Sequence, residues 1–213
     1  MKPAKKTKKR LQSAPRLNRD DWLDAAFQAV VEGGFEQVRV LMLARRLQVT
    51  RGSFYWHFAD HAELVHALLE RWREREAAIA TSLEAQASAD AGADLERLLD
   101  AALAHAGVDL ENMRFELALR GLGRRDPAVA RMLLAVDQQR MQLFEHKFQR
   151  LTADSTTAVE LSALFYLAIV GSNQALSRPL GPPQMKEYLK RIIATYLIHQ
   201  QRAAAPTGRR KRS

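Results

Sequence analysis

Residues 40–58 read Val-Leu-Met-Leu-Ala-Arg-Arg-Leu-Gln-Val-Thr-Arg-Gly-Ser-Phe-Tyr-Trp-His-Phe, and this stretch decides the fold. Its first eight residues predict a short apolar helix. A tight turn follows, and a second helix begins after Thr50, whose hydroxyl can accept a hydrogen bond from the amide of Gly52 or Ser53. The second helix extends to about His57 and carries polar and aromatic side chains of the kind that enter the DNA major groove. The pair therefore predicts a helix-turn-helix.

Helical spacing of apolar residues continues on both sides of this pair. A first helix is expected over 20–32, capped by Asn18 or Asp20 and ended by Gly33-Gly34. Asp60 and Glu63 form a capping box that begins a fourth helix of more than 20 residues. Five later helices are expected, over about 94–106, 109–122, 127–150, 155–176 and 184–201. No run shows sustained strand alternation, so the prediction is an all-α fold of about nine helices.

The charge of the chain is unevenly distributed. The formal net charge is +9, yet residues 1–19 carry eight Lys and Arg residues and no acid, and residues 202–213 carry five and no acid. The residues between them hold 24 acids against 20 bases. We therefore predict a basic, unstructured arm over 1–19, a helix-turn-helix domain over 20–66, a helical ligand-binding and dimerisation domain over 67–201, and a basic tail over 202–213. The arm, including Lys8, Lys9 and Arg10, is expected to contact phosphates.

Composition excludes several classes of site. The chain has no Cys, so it has no disulfide and no thiolate ligand or nucleophile. The longest apolar stretch, 161–170, is too short to span a bilayer, and no apolar segment follows the basic N-terminus as in a signal peptide. A cytoplasmic protein without membrane contact is expected. No phosphate-binding Gly loop or nucleophile motif is present, so no enzyme activity and no cofactor are predicted. His57, His61 and His66 with Glu63 do not converge as a zinc site requires, so no metal is predicted.

Residues 20–70 resemble the tetracycline-repressor (TetR) family of transcriptional regulators. The resemblance rests on several spaced features. They are Gly34-Phe35, Leu43-Ala44, Gln48-Val49-Thr50, Gly52-Ser53-Phe54-Tyr55-Trp56-His57-Phe58 and Glu63-Leu64. It implies that Arg51, Ser53, Tyr55, Trp56 and His57 face DNA. Arg51 has two donors for guanine, and Phe54 and Phe58 are expected to point inward. Arg39, Thr50, Gly52 and His61 complete the predicted DNA-binding set.

Two features depart from the family pattern. Family members often begin the second helix with residues that touch phosphate or bases, whereas here only Arg39 keeps that capacity in 39–42. His61 stands where a phosphate-binding Lys is common. In addition, residues 20–70 hold eight acids and four Arg. The basic arm is therefore expected to offset an acidic DNA-binding domain.

The resemblance also implies a homodimer with an effector pocket in the helical domain. The residues expected to line the pocket are Trp72, His105, Met113, Phe115, Met132, Gln138, Met141 and Phe165. The residues expected at the dimer interface, on the two most apolar helices, are Tyr166, Val170, Asn173, Tyr188, Ile192 and Tyr196. Together these features predict a sequence-specific repressor that a small apolar or amphipathic effector releases from a palindromic double-stranded DNA operator. Two alternatives remain. One is a similar regulator without a small-molecule effector, controlled by a protein partner. The other is a helical enzyme or binding module with a vestigial helix-turn-helix.

Overall fold

The computed structural model describes residues 17–104, 110–152, 154–174 and 182–204, with the side chains of 104, 172–174, 182–183 and 197–204 left aside. Within these ranges the chain forms nine α-helices, one short 3-10 turn (Phe35–Gln37) and no strand, which confirms the predicted all-α class. The helices are α1 (Arg19–Gly33), α2 (Val40–Arg46), α3 (Arg51–Phe54), α4 (His61–Ala85), α5 (Ala91–Ala104), α6 (Leu110–Gly123), α7 (Pro127–Gln149), α8 (Ser155–Gln174) and α9 (Pro182–Ala204). No helix in the described ranges combines the length and apolar character needed to cross a bilayer.

Local hydrogen bonds explain where the first helix begins and ends. The Asn18 side chain accepts from the amide of Asp21, and the Asp21 side chain accepts from the amide of Asn18, so α1 opens with a reciprocal capping box. Gly34 ends the helix with a φ of 85°, a conformation that glycine adopts without a steric penalty. Gln48 has a φ of 57° in the turn between α2 and α3, where a side chain is less favourable.

Three details of the helix-turn-helix differ from the sequence prediction. The Thr50 hydroxyl does not cap α3; instead the Ser53 amide donates to the Thr50 carbonyl, at 3.0 Å. Helix α3 ends at Phe54, and turns cover residues 55–57. Asp60 caps α4 by accepting from the Glu63 amide, but the Glu63 carboxylate accepts from the Ala59 amide, at 2.7 Å, and not from that of Asp60.

Two buried apolar clusters form the core of the described residues, and the first extends past residue 66 into the helical body. The first cluster joins the helix-turn-helix to α6 and the first half of α7, and includes Trp22, Phe54 and Phe115. The second joins the later part of α4 to α5, α8, α9 and the second half of α7. Phe27 of α1 stacks on Phe115 of α6 with ring centroids 5.0 Å apart, so the N-terminal unit packs directly on the helical body.

Candidate functional site

Helix α3 and the turn after it divide their aromatic residues between the core and the surface. Phe54 and Phe58 are buried and stack at 5.4 Å, and the Trp22 ring meets Phe54 edge-on at 5.3 Å, which confirms that both phenylalanines point inward. Tyr55 is 51% exposed and Trp56 87% exposed. Two large aromatic side chains are therefore held in solvent by a rigid aromatic core beneath them, the arrangement expected of a recognition surface.

Arg51 and Gly52 lie on the same exposed surface. The Arg51 guanidinium donates to the Tyr55 hydroxyl at 3.1 Å, so the two side chains are aligned with each other. A Cβ at Gly52 would meet only the Thr50 Oγ1, at 3.7 Å, so the fold itself leaves room for a side chain there. Thr50 is exposed, whereas Ser53 is half-buried. This surface offers one guanidinium, hydroxyls and an open backbone position.

His57 and His61 have structural partners. The His57 side chain is half-buried, and its carbonyl accepts from Arg19 at 2.8 Å. The His61 Nε2 lies 2.6 Å from the Val38 carbonyl, so the imidazole ties the start of α4 to the segment before α2. The phosphate contact predicted for His61 therefore competes with an internal hydrogen bond.

Sequence reasoning missed two exposed apolar residues on α2. Leu41 is 50% exposed and Met42 47% exposed. Arg39, the residue expected to carry the polar contact of this helix, is exposed and donates through its Nε to the carbonyl of Glu36 at 3.0 Å. The exposed face of α2 is therefore apolar, which suits contact with thymine methyl groups or sugars better than hydrogen bonding to phosphate.

Ion pairs neutralise most of the acidic residues that made the helix-turn-helix look unfavourable for DNA. Several of the arginines lie outside residues 20–70. The pairs are Arg19–Glu63 (2.9 Å), Arg46–Glu32 (2.6 Å), Arg71–Asp24 (2.5 Å), Arg73–Glu70 (2.6 Å) and Arg125–Glu36 (3.0 Å). The pKa of Glu63 is lowered, first by the Ala59 amide and then by Arg19, so that carboxylate stays ionised and paired. Arg45 and Arg51 are exposed and form no ion pair with a described residue. The expected acidic deficit is thus largely compensated within the fold.

A cavity lies in the helical body between α4, α5, α6, α7 and α8. Its empty volume is about 650 Å³, including the space at its open mouth. Apolar side chains form most of its wall. They are Ile79, Ala80, Leu83, Leu98, Ala101, Ala102, Leu143, Phe144, Ile169 and Val170. Glu76, Glu116, Arg140 and Tyr166 form one polar end.

This cavity is not lined by the residues predicted for an effector pocket. Phe115 is fully buried in the first core cluster, and Phe165 is fully buried against Phe144 and Phe148. Gln138 is exposed. Trp72 is buried one turn before Glu76, with the Arg140 guanidinium 6.0 Å from its ring. The remaining described members, Met113, Met132 and Met141, are half-buried away from the cavity wall.

The polar end of the cavity is part of a buried ionic network that sequence reasoning did not identify. Arg140 donates to both oxygens of Glu116, at 3.0 and 2.9 Å, and to Glu76 at 2.7 Å. Arg120 donates to Glu116 at 2.7 Å and to both oxygens of Asp137, at 3.0 and 2.8 Å. Glu116 and Arg120 stand four residues apart on α6, and that spacing was the available sequence signal.

The network controls the protonation of its members. Burial raises the pKa of Glu116, but hydrogen bonds and charges from Arg140 and Arg120 outweigh it, and the pKa falls to about 2. Burial, followed by a hydrogen bond to Asp137, raises the pKa of Tyr166 to about 12. Glu116 is therefore ionised and Tyr166 neutral at physiological pH.

Two residues predicted for the dimer interface lie on the cavity side of α8. Tyr166 is 8% exposed and Val170 half-buried, and both line the cavity instead. The exposed face of α8 carries Leu164 (52%) and Leu167 (66%). On α9, Tyr188 is 43% exposed, and Ile192 and Tyr196 are half-buried. The Tyr196 hydroxyl donates to Glu160 of α8 at 2.5 Å, so the two outer faces adjoin.

Some predicted site residues lie outside the described residues. They are Lys8, Lys9, Arg10, His105 and the side chain of Asn173. Among the residues that are described, no three His, Asp or Glu side chains converge as a metal site requires.

Comparison with known proteins shows a family match for the N-terminal unit. Residues 23–68 match a family model described as bacterial regulatory proteins, tetR family. The chain is 32% identical over 91 residues to the HTH-type transcriptional regulator TtgR of Pseudomonas putida. That alignment covers 43% of this chain and 43% of the relative, so it spans less than half of either protein. The chain is also similar to the HTH-type transcriptional regulator BetI of Stenotrophomonas maltophilia, with 25% identity over 190 residues. This alignment covers 89% of this chain and 95% of the relative.

Solved structures share the helical fold over most of this chain. A protein from Saccharomonospora viridis, determined in complex with choline, matches with a TM-score of 0.67 over 83% of this chain and 95% of its own. Its sequence identity to this chain is 19%, so this likeness extends the fold to the helical body and leaves the ligand open.

Proposed function

Because this chain belongs to the TetR family of bacterial regulatory proteins, we propose that it is a homodimeric, sequence-specific transcriptional repressor. In this proposal the protein binds a palindromic DNA operator through α2 and α3, and a small molecule bound in the helical body releases it. The observation that carries the proposal is the exposed surface formed by Arg51, Tyr55 and Trp56, held in place by the buried rings of Phe54 and Phe58.

The chemistry of this surface supports base reading at a small number of positions. Arg51 can donate twice to the O6 and N7 of a guanine, the commonest specific contact in the major groove. Trp56 extends furthest into solvent and can pack on sugars or a thymine methyl, and Leu41 and Met42 of α2 add apolar contacts beside it. Phosphate contacts are left to Arg39, Arg45 and the basic arm, whose contribution makes binding strongly salt-dependent.

Dimerisation through α8 and α9 supplies a second copy of the reading head, that is, of the exposed surface of α2, α3 and residues 55–57. Ala163, Leu164, Leu167 and Gly171 recur on one exposed face of α8, and a Cβ at Gly171 would meet no atom within 4 Å. Small residues beside leucines allow the backbones of two helices to approach closely, as in a four-helix interface. A two-fold axis there would present two α3 helices to half-sites one helical turn apart.

The cavity supports control by a small molecule. Its largely apolar wall with a few polar groups at one end is typical of ligand pockets, and α4 connects it directly to the helix-turn-helix. A solved protein of the same fold holds choline, which supports a small-molecule ligand for the body of this chain. Such a ligand binds more tightly to the arrangement of the protein that cannot bind DNA than to the arrangement that can. The difference between these two binding free energies is the amount by which the ligand weakens operator binding.

The test begins with selection of the operator. Fragments of genomic DNA bound by the full-length chain are sequenced, and the enriched site is used in gel shifts at several salt concentrations. Arg51→Ala should weaken specific binding about tenfold or more, since one bidentate guanine contact contributes about 1–3 kcal/mol of discrimination. Arg131→Ala, an exposed arginine on α7, is the matched control and should bind as the wild type does. Enrichment of no sequence, or full operator affinity in Arg51→Ala, would contradict the proposed reading head.

A further inference from the structure

The buried network at the end of the cavity contains more negative than positive charge. Three carboxylates, from Glu76, Glu116 and Asp137, meet two guanidiniums, from Arg120 and Arg140. Each of these side chains is at most 22% exposed. A buried unit of uncompensated charge is costly, so a cation that completes the balance is strongly favoured there.

The uncompensated negative charge of the network lies on Glu76. Both oxygens of Glu116 accept from Arg140, and both oxygens of Asp137 accept from Arg120. Glu76 is 8% exposed and accepts a single hydrogen bond from a described residue, Arg140 Nη2 at 2.7 Å. One oxygen of a nine-tenths-buried carboxylate on the cavity wall is therefore left for a donor.

The one cationic side chain of the cavity wall is already paired with carboxylates. The cavity wall carries Glu76, Glu116 and Arg140, and both terminal nitrogens of Arg140 already donate to the two carboxylates. Tyr166, the fourth polar residue of the wall, accepts from Arg120 at 3.3 Å. The remaining wall is apolar and extends from Ile79 to Leu98 and Val170.

We propose that the cavity binds a monocationic amphiphile, whose positive group contacts the free oxygen of Glu76 and whose apolar body lies along α4, α5 and α8. This inference names the ligand class of the pocket in the proposed function and rests on that proposal. A protonated amine completes the charge of the network. A neutral alcohol of the same size gains only the apolar contacts, and a carboxylate adds a second uncompensated negative charge.

Matched probes test the charge requirement directly. We would titrate 4-phenylbutylamine, 4-phenylbutan-1-ol and 4-phenylbutanoate into the full-length protein at pH 7 by calorimetry, without DNA. The wild type should bind the amine at least about tenfold more tightly than the alcohol, since hydrogen bonds to charged groups are roughly twice as strong as neutral ones. It should bind the carboxylate most weakly of the three.

Two substitutions on α4 locate the effect. Glu76→Gln keeps the size and the acceptor for Arg140 but removes the charge, so it should reduce the preference for the amine to within about twofold of the alcohol. Glu74→Gln, an exposed carboxylate two residues earlier, should leave the preference unchanged. Ala101→Leu fills the apolar part of the cavity without touching the network and should weaken both the amine and the alcohol.

The outcomes separate this inference from the proposed function. Failure of all three probes to bind, equal binding of amine and alcohol, or an amine preference that survives in Glu76→Gln would overturn the cation site. Gel shifts with the selected operator are then repeated with saturating amine. An operator that stays bound, while calorimetry shows amine binding dependent on Glu76, would leave the cation site standing and contradict effector release. Release of the operator by amine and alcohol at equal concentrations would support effector release and contradict the cation site.

Discussion

Replacing Glu116 by Gln tests how strongly the buried network holds α6 and α7 together. In the folded protein the pKa of Glu116 lies at about 2, against the usual 4.5, because two arginines overcome the effect of burial. A difference of this size between folded and unfolded chains corresponds to about 3 kcal/mol of stability at neutral pH. The side chain is 16% exposed, so solvent screens the interaction little. Glu116→Gln should therefore lose about 3 kcal/mol in the free energy of unfolding at pH 7.

The pH dependence gives the sharper test. A carboxyl with a lowered pKa stabilises the fold fully above its unfolded value of 4.5 and loses that contribution as the pH falls toward about 2. At pH 3 the contribution should have decreased to less than half of its value at pH 7. Urea unfolding followed by circular dichroism, at pH 7 and pH 3, should show the gap between wild type and Glu116→Gln narrowing by about 2 kcal/mol. Because wild type and Glu116→Gln are compared at the same pH, the contributions of other groups that titrate in this range cancel.

The matched control lies on the same helix. Glu111 is exposed and accepts one hydrogen bond, from Gln28 at 3.0 Å, so Glu111→Gln should change stability by less than about 0.5 kcal/mol at either pH. The reasoning is refuted if Glu116→Gln matches this control at pH 7. It is also refuted if the gap between Glu116→Gln and wild type stays constant from pH 7 to pH 3.

Four further predictions concern the reading head and the dimer. If the chain forms the proposed dimer, Leu167→Glu should sediment as a monomer in analytical ultracentrifugation and lose operator binding, and a dimer that persists would place the interface elsewhere. Gln48→Gly should raise the free energy of unfolding by about 0.5–1 kcal/mol, because it relieves a positive φ; urea titration showing a loss would contradict this. Gly52→Ala should unfold at or above the wild-type urea midpoint yet bind the operator more weakly in gel shifts, since the added methyl group would obstruct only the DNA; unchanged affinity argues against close approach. Deleting residues 1–16 should weaken operator binding and flatten its dependence on salt, and an unaltered slope would exclude the arm from the phosphates.

The reading head was predictable because its signals are local. The Asn18 cap, the glycine at the end of α1 and the cap at Asp60 each determine a helix boundary within a few residues. The inward direction of Phe54 and Phe58 followed from their spacing on one turn. The length of α3 was the exception, because no glycine or proline follows Phe54 to mark its end.

The residues that line the cavity were not predictable, because tertiary packing determines which side chains of an apolar helix point inward. Helix α8 is apolar around its circumference, so the sequence could not distinguish the inward Tyr166 and Val170 from the outward Leu164 and Leu167. The ionic network was not predicted for a related reason, because its members are spread over α4, α6 and α7. Only the Glu116–Arg120 spacing was visible along the chain, and such a pair is ordinarily a solvated one.

The position of the network connects the cavity to the reading head. Along α4, Trp72 belongs to the first core cluster and Ala80 to the second, with Glu76 between them. Along α7, Val136 and Leu143 flank Arg140 in the same way. The ionic network therefore spans the seam between the cluster that holds the helix-turn-helix and the cluster that holds α8 and α9.

Directional bonds at this seam offer a physical route for control. Apolar contacts tolerate small shifts, whereas the Glu76–Arg140 bond of 2.7 Å requires α4 and α7 to keep one relative position. A ligand cation on the free oxygen of Glu76 shares that carboxylate with Arg140 and repels its guanidinium, which weakens the Glu76–Arg140 bond. We therefore expect cation binding to change the angle of α4, and with it the spacing of two heads on DNA, without altering any residue of the reading surface. Glu76→Gln should then reduce the response of operator binding to the amine more than it reduces operator binding itself, and gel shifts with and without 4-phenylbutylamine measure both quantities.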